Sequence, residues 1–422
     1  MKENLLQYIW QMQLFNKNDL QTVEGLAVNV VRPGILNNDS GPDFVNAQVQ
    51  IGELMWFGSV EIHIRAGEWK NHKHDKDPAY DNVVLHVVWD SGGEANRNDG
   101  TKIPTLELKL RVQTSFLNKY ENLLSNKSKN LACTPYLESI TTLEKYAVLE
   151  KAAIERLERK AKEVYTIWQH HTKVWQQTAL KWISRGYGFK VNAEAFATIA
   201  DILQYTSIAK ERASLEDTIA LLVAVSGLDN LRYFSEEILS QAEHFRKKYS
   251  LVTMQPHQFK KSRLRPANFP EVRLVQLAAL LHLQPDLLTL LLHTKSLSDI
   301  SRAFENTNQL LNDYKSNSKA QFKIGKSSIM SIIINAVAPF RYAYGIHQLN
   351  EVLCSQALEI LESLPTEENR YTKTFTKYGF KLKSALESQG VLEQYQFKCT
   401  QNKCLQCSIG TSIMKNHDLV LI

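Results

Sequence analysis

Cysteine is scarce: there are five in 422 residues, an odd number, and three of them crowd near the C-terminus. That argues against a disulfide framework, and reduced thiols fit a cytoplasmic protein best. Long apolar runs are also missing. A membrane-spanning helix needs about 18 or more consecutive apolar residues. The most apolar stretches, residues 274–292 and 329–340, are interrupted by Gln276, His282, Pro285, Asp286, Asn335 and Pro339, so no membrane partner is expected. The opening Met1-Lys2-Glu3-Asn4 leads into an amphipathic run, not the apolar core of a secretory signal. A phosphate-binding loop is lacking too. Ile324-Gly325-Lys326-Ser327 has neither the earlier glycine nor a preceding strand. Neither sign of charge dominates: the net charge of +6 favours a polyanionic partner only mildly.

What is present is an ordinary globular composition, 44% hydrophobic and 22% charged, long enough for two or three domains. Helical spacing of Leu5, Leu6, Ile9, Trp10 and Leu14 predicts an amphipathic helix over residues 3–15. A strand is expected over 26–31, ended by Pro33-Gly34. Two alternating runs then flank a turn at Gly52-Glu53, the first opened by Asp43 and the second running from Met55 to Ile64. The polar, irregular stretch 69–82 is expected to hold a short helix. Val83 to Trp89 reads as a buried strand, and Thr105 to Val112 as a further one. These elements make one mixed sheet in an α/β domain over residues 1–112.

In a strand, residues two apart share a face. Glu61 and His63 therefore point one way, while Val60, Ile62 and Ile64 point into a core. A hairpin brings the start of its first strand beside the end of its second, so Asp43 is expected next to Glu61 and His63. Two carboxylates and an imidazole at one strand end can hold a divalent cation and a water.

An Asp opening the second strand and a Glu-x-His late in the third resemble the PD-(D/E)XK nuclease superfamily, which has a restriction-endonuclease-like core. The matching residues are Pro42-Asp43 and Glu61-Ile62-His63. The resemblance implies that Asp43 and Glu61 bind Mg²⁺ or Mn²⁺ and that His63 stands where a lysine usually helps the attacking water. A neutral imidazole beside a cation is a base or a ligand, not a fixed charge. Downstream, His72 and His74 with Asp75 form a candidate second ligand set or a phosphate contact. A solvated loop is the plainer reading of that run. His86 reads as a hydrogen-bonded core residue, and Glu24 is a further candidate acid.

From about Thr142 the pattern turns helical, and it stays so through a region assigned to residues 113–390. Leu143 to Ile183 forms one long helix or two abutting ones. Its apolar stripe includes Leu149, Ala153, Leu157, Ala161 and Val164. Its charged face, with Arg156, Glu158, Arg159, Lys160 and Lys162, is expected to be solvated. Arg185-Gly186-Tyr187-Gly188 is expected to stop it. Asn or Ser caps predict helices from 192, 214 and 235. The most basic segment carries Lys260, Lys261, Arg263 and Arg265, a basic loop or a strip for the phosphates of DNA or RNA. Pro266-Ala267-Asn268-Phe269-Pro270 then leads into a helix from Glu271 to His282.

Residues 391–422 carry Cys399, Cys404 and Cys407, a C-x4-C-x2-C spacing that suits Zn²⁺ or an iron–sulfur cluster. Cys133, Cys354, His347 and His417 are candidates for the fourth ligand. The whole chain resembles an uncharacterised bacterial family of unknown function. That resemblance rests on the G-P-D-F…G-S-V-E-I-H…H-x-H…L-H-V-V series, on R-P-A-N-F-P-E-x-R, and on the terminal cysteine motif. Three functions are compatible with the residues. The first is a metal-dependent nuclease or phosphodiesterase. The second is a nucleic-acid-binding or scaffold protein without turnover. The third is a hydrolase of another substrate with a metal on Glu61, His63, His72 and His74.

Overall fold

The computed structural model describes residues 1–37, 39–125, 131–171, 173–284, 286–293, 296–314 and 321–415. The chain forms two compact units. Met1–Ile140 with Lys398–Ile422 makes the first, and Thr141–Phe397 the second. The fold class is the expected one: an N-terminal α/β part with a mixed sheet, then a large helical region.

The first unit begins with α1 (Glu3–Gln11), shorter than the periodicity suggests, because Gln13 turns left-handed at φ 51°. Its buried face is Leu5, Leu6, Ile9 and Trp10, and the Trp10 indole donates to the Pro33 carbonyl at 2.9 Å. The strands are β1 (Val28–Arg32), β2 (Ile35–Leu36), β3 (Phe44–Ile51), β4 (Leu54–Arg65), β5 (Val83–Asp90) and β6 (Thr105–Glu107). They form one sheet in the order β1-β3-β4-β5-β6, with β2 beside β3. β1, β3 and β4 are antiparallel, whereas β4, β5 and β6 run parallel. Gly52, at φ +60°, makes the β3–β4 turn where the sequence signalled one.

Two expectations need correction. β6 ends at Glu107, not at Val112: Leu108 bonds back to Val88, and the chain then turns away, leaving Leu110 94% exposed. The face of β4 that carries Glu61 and His63 is also not an open one. The strand is buried on both sides from Gly58 to His63 because α1 and the short helix α2 (Glu68–Asn71) pack against it. Ile64 is only half-buried.

In the second unit the long helical pattern resolves into Thr142–His170 and Trp175–Tyr187, the second running through Gly186 and ending against Gly188. A capping box between Thr141 and Glu144 starts the first helix. Its charged side is solvated only in part: Glu158 and Lys162 are exposed, but Arg156, Arg159 and Lys160 are partnered. Arg159 grips the buried Glu393 carboxylate through Nε at 3.0 Å and Nη2 at 2.7 Å, Arg156 reaches it at 3.3 Å, and Lys160 bonds Asn335 at 2.7 Å. The cause is the helix Ala385–Gln394, which lies directly on this side. A side chain at Gly390 would bring Cβ within 2.1 Å of the Leu149 carbonyl, so only glycine permits the approach. Ser214 and Ser235 cap helices Leu215–Ser226 and Glu236–Tyr249, as their positions suggested. Among the described residues one helix, Lys326–His347, is long and apolar enough to cross a membrane, and 67% of its apolar window is buried inside the protein.

Candidate metal centre

The β3–β4 pairing sets the first two residues. Phe44 lies opposite Val60, and a bulge around the left-handed Asn46 then shifts the register to Ala47 opposite Gly58. The pair beyond Phe44 and Val60 is Asp43 with Glu61. The Asp43 amide donates to Glu61 Oε2 at 2.9 Å, and the Ile62 amide donates to Asp43 Oδ2 at 3.1 Å. Gln7, on α1, donates its amide to Asp43 Oδ1 at 2.9 Å. Each carboxylate is thus locked by backbone as well as by neighbours.

The β4–β5 crossover supplies the rest. A parallel pair needs a connection passing back over the sheet, and here it is α2 followed by two single 3₁₀ turns, His74–Lys76 and Pro78–Tyr80. Lys73, left-handed at φ 63°, turns the chain between His72 and His74. Both then face His63. His63 Nε2 lies 3.2 Å from His72 Nδ1 and 3.6 Å from Glu61 Oε1, and His74 Nε2 lies 3.4 Å from the same Glu61 oxygen. Among the described residues, His63, His72 and His74 form a group whose ligand atoms all lie within 4.8 Å of one another.

The back of the cluster is closed by aromatic rings. Trp69 meets His63, His74 and His86 edge-on, and Tyr80 stacks on His74 with centroids 3.8 Å apart. His86 stands beside Glu61 in the β4–β5 register, and its Nε2 lies 2.9 Å from His63 Nδ1. If His63 Nε2 is to bind a metal, His63 Nδ1–H must be the donor and His86 Nε2 the acceptor, a second hydrogen bond of the kind that orients a ligating histidine. His86 is thus the hydrogen-bonded core residue foreseen, but its partner is the site itself. His72 is exposed and gives the centre its opening to solvent.

The electrostatics ask for a cation. Burial pushes the Glu61 carboxyl up, and the neighbouring Asp43 pushes it further. Asp43 is raised chiefly by burial, despite the Gln7 bond. His63 is held far below the usual imidazole range by burial and then by His86, His74 and His72. Burial likewise lowers His74 and His86. These rings are neutral near pH 7, the form that binds metals. Among the described residues the basic side chains in close contact with Glu61 are these imidazoles, not lysine or arginine.

Donors about 2.0–2.1 Å from a tetrahedral ion stand roughly 3.4 Å apart; His63 and His72 are 3.2 Å apart, and the ligand atoms of His63, His72 and His74 all lie within 4.8 Å of one another. The residues therefore fit a divalent ion. Imidazole donors suit Zn²⁺ or Mn²⁺ better than Mg²⁺, which prefers an all-oxygen shell.

The other candidates lie elsewhere. Glu24 sits 3.6 Å from Lys102, in an ion pair away from this cluster. Lys260, Lys261, Arg263 and Arg265 belong to the helical unit. There Lys261 bonds the buried Glu271 carboxylate, the Lys260 backbone is held by Asn192, and Arg263 and Arg265 are exposed. Cys399, Cys404 and Cys407 belong to the first unit, as does Cys133, and no disulfide joins the five cysteines. The Cys404 thiol is pushed up to about 11 by burial and then by Cys407. Gly410 of the terminal motif is required because a Cβ there would meet the Cys404 carbonyl at 2.0 Å. Cys354, 3.8 Å from the Tyr342 carbonyl, and His347, packed among Tyr165, Trp168 and Trp175, lie in the helical unit. His417 falls outside the described residues.

Gln7, Trp69 and Tyr80 were missed from sequence. An amphipathic helix with Gln on its less apolar side carries no sign of a distant Asp, and only the Trp69–His72–His74 spacing hinted at rings gathered around the histidines. No curated protein and no solved structure matches the chain. The family described as "Protein of unknown function (DUF2851)" matches residues 3–370, nearly the whole length. The chain therefore belongs to the DUF2851 family.

Proposed function

We propose that the protein is a metal-dependent hydrolase whose substrate is a phosphodiester of nucleic acid. The observation that carries this reading is the convergence of Asp43, Glu61, His63, His72 and His74 at one strand end. His63, His72 and His74 would hold the ion. When bound, a divalent cation lowers the pKa of a water and polarises a phosphoryl oxygen. Glu61 Oε1 faces the ring nitrogens while Oε2 is held by the Asp43 amide. That leaves Oε1 to accept the proton of the attacking water. Asp43 ties β4 to α1 through Ile62 and Gln7, and so positions Glu61. Trp69 and Tyr80 keep bulk water from the ring faces.

The choice of a phosphodiester is supported by the PD-(D/E)XK-like placing of Asp43 and Glu61-Ile62-His63 on a sheet that is antiparallel, then parallel. The three imidazoles favour a second reading, a hydrolase of another substrate at the same residues. Cleavage of single- and double-stranded DNA and RNA with Mn²⁺, Zn²⁺ or Mg²⁺, native against Glu61→Ala, separates them. Metal-dependent cleavage lost in the variant supports the nuclease. No cleavage on any nucleic acid, with the metal bound, moves the assignment to the second reading. Nucleic-acid binding without metal or turnover would leave a binding protein.

A further inference from the structure

The helical unit holds a buried arginine with no carboxylate among the described residues to balance it. Arg273, 5% exposed, lines a cavity of about 310 Å³. Its guanidinium lies 4.2 Å over the Phe189 ring. Nη1 donates to Gln276 at 2.8 Å, and Nη2 donates to Asn268 at 2.6 Å and Ser328 at 3.1 Å. Every acceptor is neutral. Nε is buried without a partner, and so is the hydroxyl of Tyr187, a fully buried side chain on the same cavity wall. No aspartate or glutamate lines the space, whereas Ser327, Ser328 and Ser331 do. Glu271, on the same helix as Arg273, is taken by Lys261. Exposed Val191 and Ser327 mark the mouth.

A buried cation without a counter-ion is unfavourable, and a buried donor without an acceptor costs free energy as well. Burial lowers the Arg273 guanidinium to about 10, so it still carries its charge at neutral pH. Both debts are settled by an oxyanion. We propose that this cavity is a binding site for a small phosphorylated molecule, whose phosphate accepts from the serine hydroxyls and, after a small rotation that turns these covered side chains into the cavity, from Arg273 Nε and the Tyr187 hydroxyl. Arginine, phenol and serine donors from different directions match a tetrahedral oxyanion better than a flat carboxylate. A bulk water fills about 30 Å³, so the space exceeds what inorganic phosphate alone would occupy. The R-P-A-N-F-P-E-x-R segment, which looked like a fixed turn, thereby gains a role. Asn268 orients the arginine and Pro270 starts its helix. The site does not depend on the metal centre of the first unit.

The test is calorimetric titration of the full chain with inorganic phosphate, glycerol 3-phosphate and acetate. Phosphate is expected to bind at about 1 mM or tighter, glycerol 3-phosphate more tightly, and acetate at least about tenfold more weakly. Arg273→Gln should abolish phosphate binding. Tyr187→Phe, which removes one hydroxyl from a position that keeps its ring, should weaken it about 3- to 10-fold with the unfolding temperature unchanged. The second variant gives the answer if the first does not fold. The proposal is overturned if the native chain binds no phosphate at about 10 mM, if acetate binds as well as phosphate, or if folded Arg273→Gln or Tyr187→Phe binds phosphate like the native chain.

Discussion

Two of the regions that bury charge in this protein close it differently. In the helical unit, Glu393 sits between Arg156 and Arg159, with each partner meeting at hydrogen-bond distance. Charge there is balanced by the chain itself, and the result is a rivet between two helices. At the end of β4, Asp43 and Glu61 are raised by burial, and Glu61 by Asp43 as well, with imidazoles beside them. Among the described residues no lysine or arginine pairs with Glu61. A protein tolerates such a cluster when something from solution completes it. The comparison separates a structural ion pair from a site, although both are polar, buried and built from widely separated residues.

Four outcomes sharpen that contrast. The largest is chemical: Glu61→Ala should lower any metal-dependent cleavage by about 10²–10⁴-fold while circular dichroism stays native. Next, Glu393→Gln should cost about 3 kcal/mol of stability, read by urea unfolding, because it strands Arg156 and Arg159. A loss near zero would make the rivet no different from a surface pair. Third, Lys261→Ala should destabilise by about 1–2 kcal/mol, since it leaves the carboxylate of Glu271, 1% exposed, without its partner. Arg263→Ala, at an exposed position, should leave stability unchanged within about 0.5 kcal/mol. Equal effects of the two would argue that Lys261 is a surface contact after all. The smallest is Glu61→Gln, which should raise the stability of metal-free protein by about 1 kcal/mol. The amide keeps the Asp43 hydrogen bond and removes the charge. With Mn²⁺ or Zn²⁺ present the order should reverse, because the carboxylate beside the three histidines makes native protein bind the cation more tightly than the variant does. Destabilisation both with and without metal would mean that the carboxylate is simply structural.

Much of the first unit was legible because its strands alternate and its turns carry glycine. Asp43, Glu61 and His63 could be placed together by hairpin geometry alone. The bulge at Asn46 was not legible, and it is what lines up Asp43 with Glu61 on the far side of the register shift. Gln7 was illegible for a related reason. Its contact spans 36 residues and depends on how a helix crosses a sheet. The end of β6 at Glu107 was missed because Leu108, Leu110 and Val112 keep a strand's alternation after the ladder has ended. In the helical unit the caps at Ser214 and Ser235 were readable. The charged face of the helix Thr142–His170 was legible at the exposed Glu158 and Lys162 but not at Arg156 and Arg159, since sequence periodicity shows which side is polar but not whether Glu393 waits there. Arg273 reads from sequence only as a residue on the first turn of the helix that Pro270 opens. A lone arginine on an apolar helix gives no sign that its neighbours include no carboxylate.

The central claim is that three histidines and Glu61 form one metal site. Its most direct test is a Co²⁺ titration of the full chain followed by visible absorption, with native protein compared to His63→Ala, His72→Ala and a Cys404→Ser, Cys407→Ser double variant. The account predicts a nitrogen-type Co²⁺ spectrum that saturates, that Zn²⁺ displaces, that each histidine variant loses, and that the cysteine variant keeps. Absence of such a spectrum in the native chain, or its survival in both histidine variants, would contradict the account.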